Sequence, residues 1–382
     1  MTIPEYSAEE LRARGSLKWT TYPDTLGAFI AEADFGTAPA VHRALAELQQ
    51  AELFTYAPPA MTRDMAAATA EFCARRFGWE VPPAQVAAVP DVITAFAATI
   101  DIFTEPGAPV VLPTPAYMPF FRVAPLHGRE VREVPMLRTD SGWEIDFDAV
   151  DAAMTPGALL VVCNPHNPIG KVYTGQELEH ISELVERHSG RVFADEIHAP
   201  LVYEAGSHIP YASVSEAAAR HAITSTSASK AFNIPGLKCA QIIFSNAADL
   251  ARYREFGEFV SHSTAVPGIV ANTAAYRDGD AWLAEQIAYL DDNRRLLGDL
   301  LAQHLPEAKW VMPQGTYISW IDLRDCQLPQ GPAEFFREQA GVVLTDGREC
   351  GQVGAGHVRL NFATPRPILA EIVERMGTAL GG

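Results

Sequence analysis

The chain has 382 residues, 48% of them hydrophobic, enough to bury the core of one large domain and a smaller one. Its 29 basic and 47 acidic residues leave a formal charge of -18, which argues against nucleic acid or an anionic membrane as the main partner. The five cysteines, Cys73, Cys163, Cys239, Cys326 and Cys350, are scattered and form no C-x-x-C pair. They suit the reduced thiols of a cytoplasmic protein rather than a disulfide frame or a metal site.

The first residues, MTIPEYSAEELRARG, are acidic and polar, without the basic start and apolar stretch of a secretory signal. No apolar run approaches transmembrane length. Between about residues 86 and 245, short apolar runs alternate with longer amphipathic stretches, the rhythm of βα units around a mainly parallel sheet. VAAVP (86–90), APVVLPTP (108–115), ALLVVCNP (158–165), RVFADE (191–196), AITSTS (222–227) and AQIIFS (240–245) read as strands. In TGQELEHISELVERHSG, Thr174 and Glu177 make a capping box, Leu178, Ile181 and Val185 share a face, and Gly190 is expected to end the helix. The chain is again helical from about residue 280, in AWLAEQIAYLDDNRRLLGDLLAQHL. WVMPQGTYISWIDL, AGVVLTDG and HVRLNFA then read as a new series of strands, before a last helix with Thr364 as cap and Pro365 in its first turn. The expected fold class is therefore α/β, with a smaller α+β appendage.

Open α/β sheets place their ligands at the carboxyl ends of the strands. There the sequence sets CNPHNPIG (163–170), ADEIH (194–198) and SASKAFNIPGL (227–237), with Asn167, Asp195 and His198, and Lys230 at three successive strand ends. Taken singly, each has an ordinary reading. Asn-Pro pairs are turn formers, an acid at a strand end caps a helix, a lone histidine is structural, and a lysine is solvated. VPDVITAFAATI (89–100) passes from strand to helix at Asp91, Val92 and Ile93, where free amides and the helix dipole can hold a phosphate. The ordered set is the kit that pyridoxal phosphate requires: an amine for its aldehyde, an acid beside its pyridine nitrogen, a donor for its ring oxygen, and an anion cradle. Lys230, Asp195, Asn167 and the amides around Val92 fill those roles.

NPHNPIG, DEIH and SASKAFNIPGL, in this order and spacing, resemble the fold-type I pyridoxal-phosphate enzymes of the aspartate aminotransferase superfamily. The resemblance is to the MalY/PatB branch of cystathionine and cysteine-S-conjugate β-lyases. It extends through SLKW (16–19), AEADF (31–35), FTYAPP (54–59), PAYMPF (115–120) and VRLNFATP (358–365), nearly the whole chain. It implies a three-layer α/β/α cofactor domain over residues 46–275 and a small α+β domain over residues 276–382, joined by an N-terminal segment, residues 1–45. It also implies a homodimer with a shared active site. Residue by residue, it makes Lys230 the Schiff-base lysine, Asp195 the partner of the pyridine nitrogen and Asn167 the donor to the ring oxygen. His198 lies beside the cofactor, and Ser227, Lys238, Val92 and Ile93 lie at its phosphate. Tyr117 would stack on the ring, Tyr56 would reach the phosphate of the neighbouring subunit, and Arg359 would clamp the substrate carboxylate. As residues alone, the two tyrosines fit core aromatics and Arg359 a structural ion pair. Typical aminotransferases of the superfamily carry a tyrosine and an arginine where this chain has His198 and Lys238. That contrast favours β-elimination of cystathionine or a cysteine S-conjugate to thiol, pyruvate and ammonia. The alternatives are a class I/II aminotransferase and, furthest from the motifs, a regulatory binding protein. Met118, after Tyr117, leaves the side-chain preference open.

Overall fold

The protein is described by a computed structural model covering residues 3–139, 142–204 and 206–381. Seven strands, β1 (Val86–Val89), β2 (Val110–Thr114), β3 (Val131–Pro135), β4 (Leu159–Cys163), β5 (Arg191–Asp195), β6 (Ala222–Thr226) and β7 (Ala240–Phe244), form one sheet in the order β1-β7-β6-β5-β4-β2-β3. All neighbours are parallel except β7, which runs against both β1 and β6. The six strands read from the sequence are all present. The seventh, β3, escapes that reading because VREVP is a half-buried edge with charges at Arg132 and Glu133.

Strands β2, β4, β6 and β7 are buried along their whole length, as strands covered on both faces must be. Alternate residues go to opposite layers. Leu112, Val161, Phe193, Ile223 and Ile242 join a core with the helix Val92–Phe103, whereas Val111, Val162, Val192, Ala194 and Ile243 join another with the helix Gly175–Arg187. The result is a three-layer α/β/α unit. The helix Gly175–Arg187 starts with the expected capping box between Thr174 and Glu177, but its end corrects the sequence reading. It stops at Arg187, and Ser189 takes the left-handed conformation with φ 49. Gly190 is small for a different reason: a Cβ there would lie 2.9 Å from the Ala158 carbonyl oxygen.

The second unit holds strands β8 (Lys309–Trp310), β9 (Ile318–Asp322), β10 (Thr345–Asp346) and β11 (His357–Asn361), in the antiparallel order β8-β9-β11-β10. Its core includes residues of the helices Asp280–His304 and Arg366–Leu380. Thr364 does not cap the last helix. Pro365 stands at the cap position without a side-chain bond, and the buried Thr364 hydroxyl has no hydrogen-bond partner among the described residues. The carbonyl of Thr364 instead receives the Asn293 amide at 2.8 Å.

The N-terminal segment packs into this second unit. Leu26 and Gly27 pair in parallel with Val342 and Val343, and a Cβ on Gly27 would fall 2.4 Å from the Lys18 carbonyl oxygen. Lys18 and Asp34 form an ion pair at 2.7 Å, both buried, and the Trp19 indole donates to the other Asp34 oxygen at 2.8 Å. A buried pair so fully bonded fixes geometry more than it adds stability. Here it anchors residues 29–36 above the sheet edge.

Candidate active site

β4, β5 and β6 are neighbours, so the loops that leave their carboxyl ends gather at one edge of the sheet. Cys163, Asp195 and Ser225 stand side by side in register. Just beyond them a cleft is lined by Val92, Ile93, Tyr117, Asn167, Asp195, His198, Ser227, Lys230 and Lys238. The fold therefore brings together nine of the eleven residues singled out from the sequence. Arg359 comes from β11 of the other unit, and its Nη1 donates to Asn167 Oδ1 at 3.3 Å. Tyr56 is not brought to the cleft of its own chain. It is 84% exposed and stacks on His262 beside Phe54 and Phe259 in a separate surface groove.

The charges are set by burial. Asp195 lies at the cleft floor, and removal from water raises its carboxyl to about 6. The Ile197 amide, at 3.1 Å from Oδ1, and the Cys163 thiol, at 3.8 Å from Oδ2, act in the opposite direction. Burial, aided by Arg359, lowers Lys230 to about 8, with Glu32 and Asp195 acting against it. About a tenth of such an amine is uncharged at pH 7, some hundreds of times more than of an ordinary lysine, as a nucleophile or base needs. His198 is pulled down to about 3 by burial and by Lys230 and Arg359, so its ring is neutral.

Asp91 caps the helix Val92–Phe103 by accepting the Thr94 amide at 2.7 Å, and its other oxygen meets Lys238 Nζ at 3.0 Å. The Val92 and Ile93 amides, first in the helix, have no carbonyl one turn back to bond. Ser227 is already engaged, donating to the Cys239 carbonyl at 2.7 Å and accepting the Ser229 amide at 3.0 Å.

Sequence reasoning missed the cover of the site. The Ala31 carbonyl receives Lys230 Nζ at 2.9 Å and the Tyr317 hydroxyl at 3.0 Å, and the Phe29 carbonyl receives Arg359 Nη2 at 2.7 Å. These acceptors are backbone atoms, which no side-chain motif marks. Two buried nitrogens at the cleft, the donor Arg359 Nε and the His198 ring Nδ1, have no partner among the described residues. Buried polar groups are normally satisfied, so these orphan atoms, with the buried acid, the low-pKa amine and the two free helix amides, fit a polar, phosphorylated cofactor and an anionic substrate.

The chain belongs to the aminotransferase class I and II family, whose sequence pattern matches residues 29–376. It is 37% identical over 384 residues to the cystathionine beta-lyase of Corynebacterium glutamicum, covering 100% of both chains. It is 33% identical to the protein MalY of Escherichia coli, covering 94% of this chain and 92% of that one. Among solved structures, a proposed PLP-dependent beta-cystathionase from Corynebacterium diphtheriae superposes with a TM-score of 0.94 at 40% identity, covering 100% of this chain and 99% of that one.

Proposed function

We propose that this protein is a pyridoxal-phosphate-dependent carbon-sulfur β-lyase that converts cystathionine or a cysteine S-conjugate to thiol, pyruvate and ammonia. The observation that carries the cofactor is the placing of Asn167, Asp195 and Lys230 at three adjacent strand ends in one cleft. The full-length similarity to a cystathionine beta-lyase supports elimination as the reaction.

In this reading the Lys230 amine would take the cofactor aldehyde, Asp195 its ring nitrogen and Asn167 its ring oxygen, with Tyr117 against the ring face and His198 beside it. The Val92 and Ile93 amides and Lys238 would hold the phosphate, joined by Ser227 if its hydroxyl leaves the Cys239 carbonyl. When bound, the cofactor supplies an electron sink for charge at the substrate α-carbon, from which a β-thiolate can depart. Arg359 binds the substrate carboxylate with its planar fork, exchanging the Phe29 carbonyl for it. Lys230, once free, is placed to remove the α-proton and to hold it at Nζ. His198, neutral and buried, lines the site without adding charge.

The active unit is a cytoplasmic homodimer in which Tyr56 of each copy serves the other copy's phosphate site. Its exposure, and the neighbouring exposed Phe54 and Phe259, support a covered face. The domains are residues 1–45 with 276–382, and 46–275, a division supported by the pairing of Leu26 with Val342.

Purified protein with L-cystathionine and no keto-acid acceptor tests the reaction. Pyruvate and thiol released together over many turnovers support elimination. A stall after one turnover, relieved by 2-oxoglutarate, would establish transamination instead.

A further inference from the structure

The turn that carries Lys230 is tied to the segment lying over it. Asn233, three residues on, accepts the Ala33 amide at 2.9 Å through Oδ1, while its Nδ2 donates to the Ala33 carbonyl at 2.7 Å and to the Gly36 carbonyl at 3.2 Å. One side-chain amide thus satisfies both backbone groups of a residue 200 positions away. Asn233 adopts φ 54, a conformation asparagine tolerates better than most residues. On its other side the same segment is held to β11, where Asn361 donates to the Ile30 and Glu32 carbonyls at 2.7 Å each. Of these two asparagines, Asn233 is the one close to the lysine in the chain, two residues beyond the short helix Ala228–Ala231 that bears it.

We propose that Asn233 is a positioning residue for Lys230, clamping residues 29–36 down so that the Ala31 carbonyl stays on the lysine amine and water is kept from the side of the amine that the segment covers. The proposal rests on the reading of Lys230 as the reactive amine. The clamp acts through solvation: a lysine kept from water loses its proton more readily, and one that regains water holds it. Arg359, Asp195 and His198 face the amine from outside the clamped segment, whereas Glu32 lies within it and raises the lysine value; its departure alone would lower the midpoint, so a rise on releasing the clamp reports hydration rather than a lost charge.

Asn233→Gly removes the clamp and leaves a residue at ease with positive φ. In the cofactor-free protein, Lys230 is labelled with trinitrobenzenesulfonate across the alkaline range and mapped by mass spectrometry. The plateau rate at Lys230 is expected to rise about tenfold through easier local opening. The labelling midpoint should move from about 8 toward the ordinary lysine value of 10.5. Asn233→Ala removes the same three hydrogen bonds without adding charge and with less backbone freedom than glycine; it should move rate and midpoint in the same direction, and serves if the glycine variant is unstable. Rates and midpoints equal to wild type in the folded variants would overturn the clamp. Borohydride reduction with bound pyridoxal phosphate separates the two ideas. An adduct at Lys230 keeps that lysine as the reactive amine whatever the clamp does, whereas an adduct at another lysine removes the reading on which the clamp rests.

Discussion

Arg359 and Asn167 join the two units of the molecule across the cleft: the arginine Nη1 donates to the asparagine Oδ1 at 3.3 Å, from a β-strand of one sheet to a loop of the other. The same guanidinium is tied at Nη2 to the Phe29 carbonyl, and its Nε has no partner among the described residues. An incoming carboxylate therefore finds one donor unused and a second held only by a neutral carbonyl.

Arg359→Ala should weaken amino-acid substrates while the cofactor stays bound. Loss of a charge-assisted contact is expected to cost about 2 kcal/mol, near thirtyfold in kcat/KM. Steady-state kinetics beside cofactor absorbance checks this, and unchanged kcat/KM would remove Arg359 from the substrate site.

Lys230→Ala should leave the fold intact and abolish both the Schiff-base absorbance band and the borohydride-fixed adduct. Among the described residues its side chain donates only to the Ala31 carbonyl, so its loss disturbs little else. Circular dichroism and peptide mapping of the reduced protein give the readout, and an adduct appearing at another lysine would refute the assignment.

Asp195 makes the cofactor-free protein pH-sensitive. Its carboxyl stands at about 6 in the folded chain against 3.8 as the reference, so the folded state favours the protonated form. The stability this contributes is complete below the reference value and lost as pH rises through about 6. Asp195→Asn should therefore be more stable than wild type above neutrality, by on the order of 2 kcal/mol, with the advantage fading toward pH 4. Thermal melts of both proteins over that range test the sign; a gap that does not change with pH would contradict it.

Tyr56→Phe should loosen the cofactor. If the residue serves a second copy, mixing it with Lys230→Ala subunits yields heterodimers with one intact site. Activity in the mixture well above that of either homodimer is the expected result, and no gain would confine Tyr56 to its own chain.

The buried sheet and the site were legible in the sequence to different depths. Strands such as Leu159–Cys163 declare themselves because both faces are covered and every residue is apolar. The edge strand Val131–Pro135 does not, since half-burial leaves room for Arg132 and Glu133. Lys230, Asp195 and Asn167 were readable because side chains carry their chemistry and strand order places them. The acceptors on Phe29 and Ala31 were not, because any residue offers the same carbonyl. The Thr364 cap failed for a related reason: the residue has a capping side chain, but tertiary contacts with Asn293 had already fixed its backbone.

The pairing of Leu26 with Val342 bears on how the protein is made. The Thr345 hydroxyl bonds the Phe29 carbonyl across 316 residues of chain. At a synthesis rate of about 5–20 residues per second, the amino-terminal stretch waits roughly fifteen seconds to a minute on the ribosome for its partner strand. During that time Trp19, Leu26 and Phe35, all buried in the finished protein, lack the part of their core that the helix Asp280–His304 and the strands after it supply. The cover of Lys230 is thus translated long before the strands that complete it, and is assembled only after they emerge.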